Sequence, residues 1–315
     1  MQLTTPILFL TYKRFDTAKK VFDSIKKAQP KKLYFVSNAP KNNDFEEYKK
    51  ISKVRSLVDQ IDWDCNVITL FREEYLDVKQ SITNSIDWFF LLEEKGIILE
   101  DDCVPVQSFY TFCQDLLSYY ENDNEVYSIG GCCFFEDLNL PENEYRFSKH
   151  AYIWGWATWR RAWKKYDLKM SQWPNYKNTK SFKSIFRNKL IRYYWINIFN
   201  SVYRGQINTW DYQWVYSVWL NNGITIIPNR NLITNIGFGN DSNFTNDKNS
   251  IEANMKVSEV KFPLKHIDNK IINSIDQKYV EKNIYRITFW SFIKSMSYRI
   301  YINYFFKKGT KNLNN

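Results

Sequence analysis

The sequence predicts an α/β fold built on a doubly wound, mainly parallel sheet, and two observations support this. Over the first 130 residues, short apolar segments alternate with longer segments whose apolar residues recur at helical spacing. The short segments are apolar at consecutive positions, which is typical of parallel strands buried on both faces. Such a βαβα rhythm favours a parallel sheet with right-handed crossovers.

The predicted elements of this half follow one another in regular order. The strand segments are residues 6–11, 33–36, 67–71, 97–99 and 126–129. The helix segments between them are residues 15–28, 45–58, 78–92 and 109–119. In the first helix, Ala18, Val21 and Ile25 fall on one face, so we expect that face to pack on the sheet.

The pattern changes after residue 131. Residues 151–220 are rich in tryptophan and mostly helical in pattern, residues 224–227 predict a further strand, and the polar residues 241–250 predict a loop. Residues 284–306 mix bulky apolar side chains with Arg and Lys, which predicts a helical tail at the end of the chain. Such a helix is suited either to an anionic membrane surface or to packing on the core.

The composition limits the classes of partner. The net charge of +10 favours anionic substrates or an anionic membrane surface, although a lysine-rich composition alone would also produce it. No helix-turn-helix, zinc-finger or RNP signature occurs, so we expect no nucleic acid partner. Five cysteines without a CxxC pair indicate neither a disulfide framework nor a zinc site.

The sequence also suggests where the protein works. Its first residues lack a charged segment followed by a long apolar run, and no uncharged apolar run reaches transmembrane length. We therefore expect a cytoplasmic protein, with peripheral attachment to the inner face of the cytoplasmic membrane as an option that depends on the basic tail.

Three carboxylates, Glu100, Asp101 and Asp102, follow the apolar strand of residues 97–99 directly. Ligands in open α/β sheets bind at the carboxyl ends of the strands, where these acids lie. Three adjacent acids repel one another unless a cation neutralises them, and Mg²⁺ or Mn²⁺ holding a diphosphate is the simplest candidate. We expect Asp102 to ligate the metal directly, with Asp101 and Glu100 reaching the ribose or metal-bound waters.

At this point the sequence resembles a known family. Ile98-Leu99-Glu100-Asp101-Asp102 is similar to the EDD form of the DxD motif in GT-A fold glycosyltransferases, above all the N-acetylglucosaminyltransferase I-like group and bacterial family-2-like relatives. Further similar stretches occur in the expected order, at residues 85–90, 153–163, 209–214 and 227–239. The resemblance covers roughly residues 4–245, and the ordered combination is more specific than any single motif.

The resemblance implies a GT-A type sheet with a helical acceptor-side region. Residues 1–245 would form the catalytic domain, with a nucleotide-binding half at 1–130 and an acceptor half at 131–245, followed by a C-terminal extension at 246–315. It implies transfer of a hexose or N-acetylhexosamine from a nucleotide-diphosphate sugar, UDP in first place, to a hydroxyl of a glycan or lipid-linked acceptor. Inversion at the sugar would require a general base and a metal cation.

The resemblance also implies roles for individual residues. Asp211 corresponds to the family's base-bearing segment, and we favour that role over a helix N-cap, which the apolar residues after it also indicate. Trp154, Gly155 and Trp156 would bind substrate over the cleft. Five further residues at strand ends would contact the nucleotide: Thr11, Tyr12, Arg14, Ser37 and Arg72.

Departures from the family keep two alternatives open. After the second strand, where relatives often have Asp-Gly, this chain has Ser37-Asn38-Ala39-Pro40, and an Asn cannot offer the same charge to the base. Phe244 stands where many relatives have a His that could ligate the metal, unless Asp241 or Asn243 replaces it. A sugar-phosphate nucleotidyltransferase is one alternative, but residues 10–16 lack the Gly-rich phosphate loop that such enzymes usually have. A degenerate, non-catalytic glycan- or membrane-binding module is the other.

Overall fold

The computed structural model describes residues 2–135, 144–186, 188–238, 252–272 and 274–287. The strands are β1 (Ile7–Thr11), β2 (Lys32–Ser37), β3 (Asn66–Phe71), β4 (Lys95–Glu100), β5 (Cys103–Pro105), β6 (Val126–Gly130), β7 (Tyr145–Ser148), β8 (Trp156–Trp159), β9 (Ile224–Pro228) and β10 (Ile233–Asn235). The helices are α1 (Phe15–Ala28), α2 (Phe45–Arg55), α3 (Val78–Leu92), α4 (Gln107–Tyr119), α5 (Arg160–Trp163), α6 (Trp173–Tyr176), α7 (Lys180–Ile185), α8 (Lys189–Tyr203), α9 (Asp211–Leu220) and α10 (Ser274–Tyr279).

A mixed, mainly parallel sheet confirms the predicted fold class. Within the described residues, eight strands pair in the order β3-β2-β1-β4-β8-β6-β9-β7. The pairs among β1, β2, β3 and β4 and the pair of β6 with β9 are parallel, while β8 and β7 run antiparallel to their neighbours. A separate pair joins β5 to β10.

The sheet separates two hydrophobic cores. Along β1, Ile7 and Phe9 contribute to one core with α1 and α4, while Leu8 and Leu10 contribute to the other with α3 and α9. Every residue of β1 is buried, because a core covers each face of the strand. This explains why the strand reads as a continuous apolar run rather than an alternating one.

Two predicted element assignments need correction. Residues 151–220 are mostly helical, but Trp156–Trp159 is a strand in the middle of the sheet, between β4 and β6. Trp156 contributes to one core and Ala157 and Trp159 to the other, as a strand covered on both faces requires. The second predicted helix is α-helical only to Arg55 and continues as a 3₁₀ turn from Ser56 to Gln60.

The described part of the predicted C-terminal extension packs on the domain. Val260, Leu264 and Val280 belong to the same core as β1 and α1. Phe244, the predicted loop at 241–250 and most of the predicted tail helix lie outside the described residues. Among the helices described, none combines the length and apolarity needed to cross a membrane.

Candidate active site

The acidic triplet lies at the carboxyl end of β4, as predicted. Glu100 is the last residue of β4, and Asp101 and Asp102 form the turn that leads into β5. β1 runs parallel to β4 with Leu10 opposite Glu100. The segment that follows β1 therefore lies beside the acids.

Arg14 in that segment pairs with two of the three acids. One guanidinium nitrogen, Nη2, lies 2.5 Å from Asp101 Oδ1 and 2.7 Å from Asp102 Oδ2. The backbone N–H of Tyr12 also donates to Asp101 Oδ2 at 3.3 Å. The end of β1 thus supplies a cation and a backbone donor to the acids, and the pairing had not been predicted.

The acids retain more negative charge than Arg14 neutralises. Burial raises the pKa of Glu100 to about 8, and the charges of Asp102 and Asp101 add to the effect. Burial also raises the pKa of Asp101 to about 6, against the opposing influence of Arg14. The arrangement therefore favours a proton or a further cation.

A cavity of about 650 Å³ opens on one side of the triplet. Thr11, Tyr12, Arg14, Glu100 and Asp101 contribute to its wall, and so do residues that sequence analysis did not select: Asn38, Lys41, Glu47, Tyr75 and the segment 206–208. The volume lies within the range of small-molecule sites, which is about 300–1,000 Å³. This cavity is the candidate nucleotide site.

Aromatic and charged groups line this cavity. The rings of Tyr12 and Tyr75 lie 6.2 Å apart between centroids. Glu47 accepts a hydrogen bond from Lys13 Nζ at 2.6 Å and another from the backbone N–H of Lys41. Glu47 on α2 thereby holds the loops after β1 and β2 together, a long-range contact for which the sequence carries no signal.

Asn38 ties a third loop to the cavity. Its Oδ1 accepts from the backbone N–H of Leu76 at 3.2 Å, and its Nδ2 donates to the Leu76 carbonyl at 2.7 Å. Asn38 thus positions the loop that carries Tyr75. Its place directly after β2, at the carboxyl edge of the parallel strands, was a signal that could have identified it.

A second cavity, of about 490 Å³, lies on the other side of the triplet. Its wall includes Asp102, Trp154, Asp211 and Gly237. The two cavities share five lining residues: Arg14, Val78, Ile82, Glu100 and Ile207. The acids and Arg14 therefore stand between two adjoining chambers.

The N-cap of α9 is Trp210, so Asp211 is not the N-cap residue that one interpretation of its sequence context predicted. Asp211 is the first residue of α9, and its carboxylate also lines the second cavity. Thr209 Oγ1 donates to Asp211 Oδ1. Burial raises the pKa of Asp211, while the hydrogen bond from Thr209 opposes that rise. A half-buried carboxylate of raised pKa in a cleft suits a general base.

Gly237 packs closely against the Asp102 side chain in the wall of the second cavity. A Cβ at position 237 would overlap the Asp102 carboxylate. The backbone N–H of Ile236 donates to the Asp102 carbonyl at 2.8 Å, which fixes the two segments together. A larger residue at position 237 would require the Asp102 side chain to shift.

The three residues predicted to bind substrate have different surroundings. Trp154 lines the second cavity. Gly155 has a φ of +57°, and its carbonyl accepts from the Gly131 N–H at 2.7 Å, so it serves a close backbone approach. Trp156 is fully buried among Trp163, Trp210 and Trp214 and lines neither cavity, so its placement favours packing over substrate contact.

Two predicted nucleotide contacts also lie away from the cavity walls. Ser37 is buried and accepts a hydrogen bond from Arg55 Nε at 3.2 Å. Arg72 Nη2 donates to Ser85 Oγ at 3.0 Å, which ties the end of β3 to α3. Ser37 is the last residue of β2 and Arg72 follows β3, and the placement of both favours support of the loops over contact with a nucleotide.

The donors present suit a hard divalent cation only in part. Carboxylate oxygens are the ligands that Mg²⁺ and Mn²⁺ prefer, and the triplet carries uncompensated negative charge. Within the part of the chain that the structure describes, no group of three or more His, Cys, Asp or Glu side chains converges to hold a metal. A cation here would need further oxygen ligands, such as water or phosphate.

Comparisons with known proteins give distant structural likenesses. No protein-family model and no curated protein matches the chain. Similar solved structures include HddC from Yersinia pseudotuberculosis (TM-score 0.27, 10% identity, 40% of this chain and 57% of that chain). They also include UDP-glucose pyrophosphorylase without ligand (TM-score 0.36, 8% identity, 71% and 90%) and complexed with UDP-glucose (TM-score 0.27, 9% identity, 48% and 64%).

The extent of these likenesses is limited. The chain spans 57% of HddC and 64% of the UDP-glucose complex. Two of the three structures are named as UDP-glucose pyrophosphorylase. At these TM-scores and identities, the likenesses assign no activity to the chain.

Proposed function

We propose that the protein is a glycosyltransferase. It would move a sugar from a nucleotide-diphosphate sugar, with UDP as the expected nucleotide, to a hydroxyl of a bacterial surface glycan or lipid-linked precursor. One observation carries the proposal: the acidic triplet stands between two adjoining cavities, and the wall of the second includes Asp211, a half-buried acid. Two substrates that must react with each other need such an arrangement.

The first cavity would hold the donor. Tyr12 and Tyr75 offer ring faces on which a base can stack. Arg14, Lys13 and Lys41 supply positive charge along the wall, which suits a diphosphate. The sugar of the donor would then point past Glu100 and Asp102 toward the second cavity.

The second cavity would hold the acceptor, with Asp211 as the general base. Attack by the acceptor hydroxyl needs removal of its proton, and a half-buried carboxylate of raised pKa holds that proton better than an exposed one. Its position across the triplet from the donor cavity is consistent with attack from the face opposite the leaving diphosphate, and therefore with inversion.

Mn²⁺ or Mg²⁺ is the proposed cofactor, held by Asp102 with Glu100 and Asp101 nearby. When bound, the cation would neutralise charge that develops on the leaving diphosphate. Asp102 is the proposed direct ligand because it lies where the two cavities adjoin, 2.7 Å from Arg14, which lines both of them.

Calorimetric titration of UDP, GDP and CMP, with and without Mn²⁺, tests the donor site. We expect metal-dependent binding of one nucleotide, lost in an Asp102→Ala variant. Binding that is unaffected by this variant would contradict the assignment of Asp102. No binding of any nucleotide would favour a non-catalytic module.

A product assay tests the reaction class. Incubation with the UDP-sugar and a glycan acceptor should release UDP and extend the acceptor, and Asp211→Asn should abolish transfer while nucleotide binding persists. Release of a sugar phosphate and a nucleoside triphosphate on addition of pyrophosphate would instead indicate a nucleotidyltransferase.

Attachment to the cytoplasmic face of the membrane is part of the proposal. The basic and aromatic composition of residues 284–306 supports it. Co-sedimentation of the full chain with vesicles containing anionic lipid, compared with neutral vesicles, would test it. Equal recovery in the supernatant with both vesicle types would contradict it.

A further inference from the structure

The side chain of Arg14 forms ion pairs with carboxylates that the proposed cation requires. Its Nη2 lies 2.7 Å from Asp102 Oδ2 and 2.5 Å from Asp101 Oδ1. The Asp101 and Asp102 side chains are 7% and 18% exposed, so these ion pairs are shielded from water. A divalent cation that binds Asp102 must therefore displace or share the guanidinium.

The backbone of Arg14 is fixed while its side chain has space on two sides. The Arg14 carbonyl accepts from the Ala18 N–H at 3.0 Å and from Thr17 Oγ1 at 3.1 Å, which anchors it as the first carbonyl of α1. The side chain is 30% exposed and lines both cavities. Rotation about side-chain bonds can thus move the guanidinium without disturbing the helix.

A diphosphate in the first cavity offers the guanidinium an alternative partner. Arginine binds phosphate oxygens with paired hydrogen bonds, as it binds carboxylates. Asp101 and Glu100 line the same cavity, so a diphosphate there would lie within the neighbourhood of Arg14. The anion would draw Arg14 from Asp102 and leave that carboxylate open to a cation.

We propose, on the basis of the proposed function, that Arg14 is a positioning residue that blocks the metal site until the nucleotide binds. In the ligand-free protein, Arg14 pairs with Asp101 and Asp102 and competes with Mn²⁺. When a nucleoside diphosphate enters, Arg14 transfers to the diphosphate, and Asp102 becomes available to the metal. Nucleotide and metal affinities are then coupled, and the coupling acts equally in both directions.

The test is a titration of Mn²⁺ into the protein without nucleotide, in which the EPR signal of free Mn²⁺ reports how much metal is bound. Arg14→Gln should raise the affinity for Mn²⁺ by about tenfold relative to the wild type, within the usual range of coupling between sites. Lys19→Gln is the matched control, because it removes one positive charge from a surface pair with Asp23 on the same helix and has a similar exposure of 33%. We expect the control to leave Mn²⁺ affinity unchanged.

Two further variants make the result specific. Arg14→Lys keeps the charge but offers a single ammonium in place of the planar guanidinium, so its Mn²⁺ affinity should lie between those of the wild type and Arg14→Gln. If Arg14→Gln does not fold, as judged by its melting transition, the Arg14→Lys result decides the test. The double variant Arg14→Gln, Asp102→Ala should lose the gained affinity.

The outcomes separate this inference from the proposed function. Unchanged or weaker Mn²⁺ binding in Arg14→Gln would overturn it, and so would affinity that the double variant retains. Addition of UDP should raise Mn²⁺ affinity in the wild type by a larger factor than in Arg14→Gln, and equal factors would also overturn it. If UDP fails to bind the wild type at all, the proposed function fails, and the nucleotide-free comparison still judges whether Arg14 competes with the metal.

Discussion

At the scale of single residues, the site depends on side chains whose chemistry is set by close neighbours. Asp211 lies at the start of α9 and accepts a hydrogen bond from Thr209 Oγ1. Burial raises the pKa of its carboxyl, and this hydrogen bond counteracts the rise by stabilising the ionised form. The ionised form is the one that can act as a base, so Thr209 should extend the pH range in which Asp211 could serve as the proposed base.

Replacement of Thr209 by Val removes that hydrogen bond with little change in shape. The pKa of Asp211 should then rise further, and the acid limb of the pH–kcat profile should move to higher pH. Thr158→Val is the control, since Thr158 is a buried threonine that donates to the Tyr127 carbonyl at 2.6 Å and lines neither cavity. An acid limb that stays in place in Thr209→Val would show that Asp211 is not the titrating base.

Site residues that directly follow a strand could be predicted from the sequence, whereas those positioned by contacts between distant loops could not. The acids at 100–102 could be predicted because they directly follow an apolar run, and strand ends meet at one edge of a parallel sheet. The ion pairs of Arg14 with Asp101 and Asp102 and of Glu47 with Lys13 join residues 34 to 88 positions apart. Such contacts depend on how loops fold over the sheet, which no local pattern records.

At the scale of elements, β8 shows the limit of local patterns most clearly. Trp156–Trp159 has only four residues, is embedded in a tryptophan-rich region of helical spacing, and is a strand because β4 and β6 pair with it on both sides. β1 to β4 could be predicted, since their apolar segments alternate regularly with segments of helical spacing. Tertiary pairing, which follows from the whole fold, decided the state of the shorter segment.

The position of Trp156 in β8 leads to a prediction about stability. Trp156→Ala would leave a large void among Trp163, Trp210 and Trp214, and should cost about 3–5 kcal/mol of the free energy of unfolding. Chemical denaturation of the wild type and the variant measures this cost.

Trp154→Ala provides the comparison within the same segment. Trp154 lines the second cavity, so its loss should weaken use of the acceptor, seen as a higher KM, at a smaller cost in stability. If Trp156→Ala instead left stability unchanged and raised only the KM, the substrate role predicted from the sequence would be correct and the packing role wrong.

At the scale of the whole molecule, a buried ion pair joins the C-terminal segment to the sheet. Arg146 on β7 lies 2.6 Å from Asp276 Oδ1 on α10, and both side chains are almost fully buried. Arg146 also donates to the Phe135 carbonyl at 2.7 Å and to Asn229 Oδ1 at 2.9 Å. The pair therefore ties the described C-terminal residues to the domain that contains the site.

Removal of one partner should be far more costly than removal of both. Asp276→Ala leaves the Arg146 guanidinium buried without its carboxylate and should cost about 3–5 kcal/mol of the free energy of unfolding. Arg146→Met combined with Asp276→Leu should recover much of that loss, because no unpaired buried charge remains. Denaturant unfolding of the three proteins tests this, and equal losses in the single and double variants would contradict it.

The charge of the site also affects the stability of the entire molecule as a function of pH. Burial and the neighbouring acids raise the pKa of Glu100 to about 8 in the folded protein, against about 4.3 for an exposed Glu. The folded state consequently binds more protons than the unfolded state between these values, so stability should fall as the pH rises through this window. His150 acts in the opposite direction below about pH 6.5, because burial lowers its pKa to about 3 and the unfolded chain then binds the extra proton.

The informative range therefore lies between about pH 7 and about pH 8, above the titration of an exposed histidine. In this range the melting temperature of the ligand-free wild type should rise as the pH is lowered, by about 2 °C or more. Glu100→Gln removes the titrating group, so its melting temperature should be higher than that of the wild type at pH 8 and should depend less on pH. Differential scanning calorimetry of both proteins in the same buffers measures this difference. Burial also raises the pKa of the Cys113 and Cys132 thiols, but both proteins contain them, so their contribution cancels in the comparison. If the melting temperatures of the two proteins change equally with pH across the range, ionised Glu100 does not destabilise the folded state. The acids between the two cavities would then need no cation beyond Arg14.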